Sequence, residues 1–208
     1  MQLSFTVEAL RVNSLTVKIA IPSLLELKDH YQQNDLPLIN SYWAKIWPAS
    51  KALAQFILEH PLLVADKKIT EIAAGLGFPS LVAASLAREV ICTEAIPDAL
   101  EFIHTSIQLN DLKNIQASTF NWNHQLAVET DVLLMSDVNY NPAVFPQLLS
   151  FVQIQLQQGI TILLSTPQRL MAKPFIASLA KYIVQQEEYE IKESGVVTMC
   201  SVFVLKTK

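Results

Sequence analysis

The sequence has few of the features that mark membrane, secreted and metal-dependent proteins. Although 51% of its 208 residues are hydrophobic, no uncharged apolar stretch approaches the roughly 18–20 residues that a membrane span needs. No basic segment followed by an apolar one opens the chain, and Glu8 and Arg11 interrupt its first residues. We therefore expect no signal peptide, no membrane partner and a cytoplasmic location.

Cysteine is scarce, and histidine is scattered. Cys92 and Cys200 each stand inside an apolar strand-like run, which favours two buried thiols over a disulfide or a metal site. The four histidines show no ligand spacing: they are His30, His60, His104 and His124. We therefore expect no bound metal.

Positive charge is also in short supply. Fifteen Lys and Arg residues against nineteen Asp and Glu give a formal net charge of −4. Phosphate binding needs a basic face, so nucleic acid is not the expected partner. The length suits one sizeable core and is short for two. We expect a single domain over residues 1–208, with residues 1–45 as an N-terminal hairpin and loop extension and residues 46–208 as the core.

The N-terminal part predicts a hairpin followed by a helix. Leu3–Val7 and Leu15–Ala20 alternate partially and predict two strands. Residues 23–41 predict a helical turn and a loop. Apolar residues at helical spacing predict a helix from Pro48 to His60, with Pro48 near its first position.

The rest of the chain alternates between strands and helices. The predicted strands are 68–73, 90–94, 114–119, 131–136 and 160–165, and the predicted helices lie near 78–87, 97–109, 142–157 and 169–187. This alternation predicts right-handed crossovers and a mainly parallel sheet. Glu188–Glu193 and Val196–Lys206 predict a closing hairpin. The fold class is therefore α/β: a Rossmann-like, mostly parallel seven-stranded sheet with helices on both faces, a C-terminal antiparallel hairpin and an extra N-terminal hairpin.

A short glycine loop follows the first predicted strand of the core. Its sequence is Glu71-Ile72-Ala73-Ala74-Gly75-Leu76-Gly77, and a helix start comes next. A strand–turn–helix of this kind cradles a nucleotide-like ligand against backbone N–H groups. Glu94 ends the next strand, where an acid can accept both hydroxyls of a ribose. The two signals together predict a cofactor that contains adenosine.

The carboxyl ends of the predicted strands converge on one crevice. In an open α/β sheet the ligand lies outside these ends, where the winding reverses. We therefore expect four segments to surround a single site: Glu71–Gly77, Glu94, Asn121-Trp122 and Ser136–Tyr140.

The details of the loop favour S-adenosylmethionine over NAD. Ser80 stands in the place of the third glycine of G-x-G-x-x-G, and Pro79 lies in the first turn of the helix. A carboxylate at Glu71 would repel a pyrophosphate, whereas a sulfonium and an amino group would tolerate it.

The same loop resembles the E-x-G-x-G-x-G motif of class I S-adenosylmethionine-dependent methyltransferases. Residues 42–50, the loop as far as Leu81, and residues 135–140 are similar to a narrower family of lysine methyltransferases. That family includes the METTL21-type enzymes and the electron-transfer-flavoprotein lysine methyltransferase. The resemblance covers roughly residues 40–170.

This resemblance implies roles for individual residues. Trp47 would wall the methionine end of the cofactor, Glu94 would bind the ribose, and Ser136 would line the pocket. Asn121 and Trp122 would flank the adenine. The loop would lie beneath the cofactor through Glu71, Ala73, Ala74, Gly75 and Gly77.

The chain departs from the family pattern at two of these positions. Ala73 replaces the first glycine of the loop, and Asn121 stands where an Asp is usual. The methyl group of Ala73 is tolerable only if its φ is negative and the cofactor leaves room for it.

Asp137 and Tyr140 are the candidate catalytic residues. They stand three residues apart just past a strand end, and a carboxylate and a phenol there could hold an acceptor amine and help to carry its proton away. Asp-Val-Asn-Tyr also has a faint likeness to the Asn-Pro-Pro-Tyr motif of amine-directed methyltransferases. The alternatives are purely structural: Asp137 would cap a turn, Tyr140 would pack under it, Trp47 would belong to the core, and Glu94 would act as a helix N-terminal charge.

The leading hypothesis is an S-adenosylmethionine-dependent N-methyltransferase that acts on a protein lysine. A second hypothesis keeps the chemistry but takes a small-molecule amine or a heteroaromatic nitrogen as the acceptor. A third, motivated by Ala73 and Asn121, is a catalytically silent methyltransferase-like module that binds a partner.

Overall fold

The structure is a computed structural model that describes residues 3–122 and 128–207, except for the side chains of Ile39 and Asn40. His124 lies outside the described residues. The strands are β1 (Phe5–Val12), β2 (Leu15–Pro22), β3 (Lys68–Ile72), β4 (Glu89–Glu94), β5 (Ile115–Thr119), β6 (Val132–Ser136), β7 (Thr161–Pro167), β8 (Ile183–Glu193) and β9 (Val196–Leu205). The helices are α1 (Leu24–Gln33), α2 (Pro48–Glu59), α3 (Phe78–Ala83), α4 (Asp98–Leu109), α5 (Phe145–Gln157) and α6 (Lys173–Leu179).

Seven of the strands form one mixed sheet in the order β5-β4-β3-β6-β7-β9-β8. The five strands from β5 to β7 are parallel, and β9 runs antiparallel between β7 and β8. This confirms the predicted fold class, including the closing hairpin. The winding reverses between β3 and β6, because β4 lies on one side of β3 and β6 on the other, and a ligand site is expected at that point.

The central strands β3, β6 and β7 are buried along almost their whole length because helices cover both faces of the sheet. One buried cluster joins α2, α3 and α4 to one face, with Leu53 and Phe56 of α2 fully buried in it. A second cluster joins α5 and α6 to the other face through Phe151 and Phe175. No helix within the described ranges is long and apolar enough to cross a membrane.

The N-terminal hairpin is confirmed, and it packs on α4. β1 and β2 form a separate antiparallel pair over Phe5–Pro22. The backbone N–H of Ala20 donates to Ser106 Oγ at 3.0 Å, and that of Lys18 donates to Asn110 Oδ1 at 2.9 Å. The side chain of Ser106 in α4 and that of Asn110, the C-cap residue of the same helix, therefore hold β2 in place.

The predicted helix over 169–187 is wrong in length. α6 spans only Lys173–Leu179, with Pro174 in its first turn, and β8 begins at Ile183. Burial alternates along the first half of β8, as expected for an edge strand, and Gln186 and Glu187 pair with β9. The hydrogen bonds and packing that β9 offers outweigh the helix preference of a Gln- and Glu-rich segment.

The other differences are smaller. The first strand extends to Val12 rather than Val7, and residues 24–33 form a full helix rather than a single turn. α2 begins with Pro48 at its first position, as predicted. Cys92 and Cys200 are both buried and free, which confirms their prediction as buried thiols.

Candidate functional site

A cavity of about 480 Å³ opens at the carboxyl ends of the parallel strands. It brings together ten of the twelve candidate residues: Trp47, Ala73, Ala74, Gly75, Glu94, Asn121, Trp122, Ser136, Asp137 and Tyr140. Glu71 and Gly77 do not line it. The four segments predicted to meet at one crevice therefore do meet there, although not through every side chain.

The two glycines of the loop adopt left-handed backbone conformations, and each is close to a neighbouring group. Gly75 has a φ of 58°, and a Cβ there would lie 3.0 Å from the carbonyl oxygen of Trp43. Gly77 has a φ of 73°, and a Cβ there would lie 2.8 Å from Cys92 Sγ. Glycine is therefore required at position 77 because the loop packs closely against Cys92, and not because Gly77 lines the cavity.

Ala73 does not meet the condition of a negative φ. Its φ is 50°, in the left-handed region that glycine adopts readily and that costs other residues roughly 1–2 kcal/mol. The next residue is held in place, since the N–H of Ala74 donates to the carbonyl of Thr93 at 3.0 Å. The loop therefore keeps the shape of a glycine loop with a methyl group at its first glycine position.

Glu71 points into the protein interior rather than into the cavity. It is fully buried, and its Oε2 accepts hydrogen bonds from the N–H and the hydroxyl of Ser80 at 2.9 and 2.5 Å. Its Oε1 has no partner within the described part of the chain. Burial raises the pKa of Glu71 to about 8. Glu71 therefore does not repel a pyrophosphate as predicted, because its carboxyl group is buried and its raised pKa favours the neutral form.

Glu94 closes the loop from the neighbouring strand. Its Oε2 accepts from the N–H of Gly75 at 2.9 Å, and its Oε1 accepts from the N–H groups of Ala95 and Ile96 at 2.7 and 3.2 Å. A carboxylate has about four acceptor positions, so roughly one remains while these three bonds hold. Glu94 thus lies at the cavity wall with capacity for a further donor, such as a hydroxyl group.

Aromatic side chains form the wall near the cavity mouth. Trp47 is half-buried, and its Nε1–H donates to the carbonyl of Tyr42 at 2.9 Å. The ring of Tyr42 meets the rings of Trp47 and Tyr140 edge-on, with centroids 5.9 and 6.3 Å apart. Lys45 Nζ lies 4.7 Å from the centroid of the Trp47 ring. Trp47 is therefore a wall residue of the cavity and is not confined to the core.

Asp137 forms a two-pronged ion pair with Arg169. The two guanidinium nitrogens of Arg169 lie 2.5 and 2.9 Å from Oδ1 and Oδ2 of Asp137. Burial raises the pKa of Asp137, while the hydrogen bonds and the charge of Arg169 oppose that rise. Asn141, rather than Asp137, caps the turn that follows, since its Oδ1 accepts from the N–H of Ala143.

Arg169 was missed in the sequence. It lies two residues past the end of β7, whereas Glu94 ends β4 and Asp137 directly follows β6. Extending the strand-end argument to the fifth parallel strand would have found it. The sequence pattern instead predicts a helix over residues 169–187.

Tyr140 and the pair Asn121-Trp122 complete the lining. Tyr140 is half-exposed, and burial, helped by Glu94 and Asp137, raises the pKa of its phenol, which therefore stays protonated near neutral pH. Trp122 packs against the apolar cluster on the α5 face of the sheet. Asn121 precedes it just past the end of β5 and lines the same cavity.

A seven-stranded sheet of this order, with a cavity beyond the ends of β3 and β4, is the fold of class I methyltransferases. A tRNA (uracil-54, C5)-methyltransferase of Pyrococcus abyssi, solved with S-adenosyl-L-homocysteine, matches it with a TM-score of 0.63. The match covers 97% of this chain and 44% of that one at 12% identity, and so shows the fold alone. The chain belongs to the lysine methyltransferase family, whose profile matches residues 33–182.

Two curated relatives illustrate the breadth of that family. The histone-arginine methyltransferase METTL23 of Homo sapiens is 31% identical over 121 residues, which are 55% of this chain and 64% of that protein. The electron transfer flavoprotein beta subunit lysine methyltransferase of Mus musculus is 26% identical over 184 residues, 86% of this chain and 71% of that protein. The chain spans only 53–64% of the length of the METTL23 relatives that it matches.

Proposed function

We propose that this chain is an S-adenosylmethionine-dependent N-methyltransferase that acts on a lysine side chain of a protein. The observation that carries the proposal is one continuous cavity with two chemically different halves. Its cofactor half, beside β3 and β4, contains Trp47, Ala73–Gly75 and Glu94. Its acceptor half, beside β6 and β7, contains Asp137 and Tyr140. Membership of the lysine methyltransferase family supports the same assignment.

The residues of the cofactor half fit S-adenosylmethionine. A volume of about 480 Å³ lies in the range of roughly 300–1,000 Å³ typical of ligand sites. Glu94 would accept from the ribose, Trp47 would face the methionine end, and Asn121 and Trp122 would flank the adenine. When bound, the cofactor supplies an electrophilic methyl group on a sulfonium. Ala73 lines the cavity, and the volume of about 480 Å³ remains with its methyl group present.

The acceptor half would hold and orient the amine. Methyl transfer is an in-line displacement, so the enzyme contributes mainly alignment and exclusion of water. The carboxylate of Asp137 would accept an N–H of the amine, and the protonated phenol of Tyr140 would position it from the cavity mouth. The rings of Tyr42 and Trp47 would shield the reacting atoms from water.

An arginine side chain is the second candidate acceptor. Asp137 already accepts a guanidinium through both oxygens, and an arginine of a partner protein could take the place of Arg169. The family contains relatives named as arginine methyltransferases. Lysine remains the first candidate, because this displacement would leave the charge of Arg169 without its partner.

We further propose that the chain acts as one domain in the cytoplasm, without nucleic acid or membrane as a partner. The net charge of −4 supports the exclusion of nucleic acid. The N-terminal hairpin shares its buried cluster with the core, through Val17 and Ile19, which supports a single domain.

Calorimetry with S-adenosylmethionine and S-adenosylhomocysteine tests the cofactor assignment. We expect both to bind the native chain. Glu94→Ala should weaken binding, since a charge-assisted hydrogen bond contributes roughly 1.5–3 kcal/mol. Glu129→Ala, which removes a carboxylate whose side chain is 98% exposed, should bind as the native chain does. No binding to the native chain at millimolar cofactor would contradict the proposal and leave the silent module as the better hypothesis.

Incubation with labelled cofactor and a cell extract tests the class of acceptor. We expect label in the protein fraction. Label confined to the small-molecule fraction would instead support an acceptor that is a free amine or a heteroaromatic nitrogen.

A further inference from the structure

Arg169 lines the acceptor half beside Asp137 and has no role in the scheme above. Its side chain is 33% exposed, against 9% for that of Asp137, and both line the cavity. Arg169 follows β7, which is separated from Glu94 and β4 by β6 and β3. It therefore lies on the acceptor side of the cavity rather than beside the proposed ribose site.

The backbone holds Arg169 and Asp137 in fixed relation. Ser136 and Ser165 are register partners on β6 and β7, and the N–H of Asp137 donates to the carbonyl of Ser165 at 2.9 Å. Gln168 is bound to β9 by its N–H to the carbonyl of Met199 at 2.9 Å and by its side chain to Ser201 Oγ at 3.1 Å. The C-terminal hairpin thus supports the segment that carries the guanidinium.

We propose that Arg169 is a positioning residue for methyl transfer: it aims the Asp137 carboxylate at the acceptor, and its charge keeps the acceptor amine uncharged. This inference rests on the proposed function, since it concerns the amine that Asp137 would hold.

The charge of Arg169 matters because an ammonium ion is not a nucleophile. An isolated carboxylate would stabilise the ammonium form of a bound lysine and so oppose its deprotonation. The ion pair of Asp137 and Arg169 has no net charge, yet each carboxylate oxygen keeps a second lone pair for an N–H of the amine. A neighbouring cation also favours the neutral amine, as it does in other enzymes with nucleophilic lysines.

Other charged and titratable groups face this pair from every surrounding segment. They are Glu94 after the loop, Lys45 and Tyr42 before α2, Tyr140 after β6, and Cys200 on β9. Burial raises the pKa of Cys200 to about 12, and burial also raises that of Tyr140. Neither group therefore ionises near neutral pH, and neither accounts for a change of rate in that range.

The step itself balances without another reactant. The ammonium loses its proton to water, and the nitrogen lone pair then forms the C–N bond. The C–S bond breaks as that bond forms, and its electron pair stays on sulfur, which turns the sulfonium into a neutral thioether.

The test compares two variants that each remove one half of the ion pair. Native chain, Arg169→Met and Asp137→Asn are mixed in large excess with the proteins of a cell extract and labelled S-adenosylmethionine, and single-turnover rates are measured across pH. Under these conditions the acidic limb of the profile reports the bound acceptor rather than the free one. Binding of S-adenosylhomocysteine, measured by calorimetry, checks the cofactor half independently.

We expect the acidic limb of the pH profile to move in opposite directions in the two variants. At about 5 Å a unit charge shifts a neighbouring pKa by roughly 0.6 units in bulk water and by roughly 2.4 units at an effective dielectric constant of about 20, so a shift of about one unit is expected in a partly solvated site. The limb should therefore rise by about one pH unit in Arg169→Met and fall by about one unit in Asp137→Asn, with a lower rate in both. Lys173→Met removes an exposed cation of α6 outside the cavity and should leave the limb unchanged. S-adenosylhomocysteine should bind all three within threefold of the native affinity.

Rates that fall without movement of the limb, or limbs that move in the same direction, would overturn the proposal and leave the pair a structural one. If Arg169→Met does not bind S-adenosylhomocysteine, Asp137→Asn alone tests the proposal. A fall of its acidic limb supports the proposal, and a rise or no movement overturns it. The absence of labelled protein with the native chain at every pH would overturn the proposed function itself, and with it this inference.

Discussion

Glu71 and Glu94 are the same residue type at the ends of adjacent strands, yet their surroundings give them different chemistry. Glu71 is fully buried behind the loop with one oxygen bonded to Ser80. Glu94 faces the cavity and accepts three backbone N–H groups. The sequence places an acid at the end of each strand. It does not show which carboxyl group faces inward, because that depends on how Ser80 packs against β3.

The burial of Glu71 predicts a dependence of stability on pH. Its pKa rises from an ordinary 4.5 to about 8 in the folded chain, so between these values the native state holds a proton that the unfolded state has lost. This contribution is complete below pH 4.5 and is lost as the pH rises through 8, by at most about 1.4 kcal/mol per unit. Glu71→Gln, which cannot ionise, should therefore gain free energy of unfolding relative to the native chain between pH 5 and pH 8.

Urea unfolding of both chains at several pH values measures that difference. Glu129→Gln, which makes the same substitution at a side chain that is 98% exposed, is the matched control. A constant difference between Glu71→Gln and the native chain across the range would show that Glu71 is ionised in the folded protein.

At the scale of elements, the alternation of strands and helices was predictable because strand and helix periods differ clearly in residues 48–167. The positions of the glycine loop and of the ends of β4 and β6 followed from it. The extent of α6 did not, because Ile183–Glu187 has no strong period of its own and becomes a strand by pairing with β9. Arg169 escapes prediction for the same reason, since the sequence pattern places it at the start of that helix.

The glycine loop predicts a specific double-mutant result. Gly77 and Gly159 both have positive φ, but a Cβ at Gly77 meets Cys92 Sγ at 2.8 Å, whereas one at Gly159 meets nothing within 4 Å. Gly159→Ala should lower the free energy of unfolding by roughly 1–2 kcal/mol, which is the cost of a left-handed backbone conformation for a residue with a Cβ. Gly77→Ala should lose about 1–3 kcal/mol more through overpacking.

Cys92→Ala should remove most of that additional loss when it is combined with Gly77→Ala, because it makes room for the new methyl group. Free energies of unfolding from urea titrations give the coupling between the two sites. Equal losses in Gly77→Ala and Gly159→Ala, or additive effects in the double variant, would contradict the close contact between the loop and β4.

At the scale of the whole molecule, the reversal of winding between β3 and β6 divides the cavity into two halves. The strands on one side carry the candidate cofactor residues, and those on the other carry Asp137 and Arg169. The N-terminal hairpin packs on α4, and the C-terminal hairpin supports the segment after β7 through Gln168. The two hairpins that extend the parallel core thus flank the two halves of the site.

The central claim is that this cavity transfers a methyl group to a lysine of a protein. Its most direct test is to label a cell extract with the native chain and S-adenosylmethionine that carries an isotopic methyl group, and to identify the modified residue by mass spectrometry. The account predicts labelled methyl-lysine, which is lost in Asp137→Ala under conditions where that variant still binds S-adenosylhomocysteine. Label found only on arginine, or only on small molecules, would contradict it.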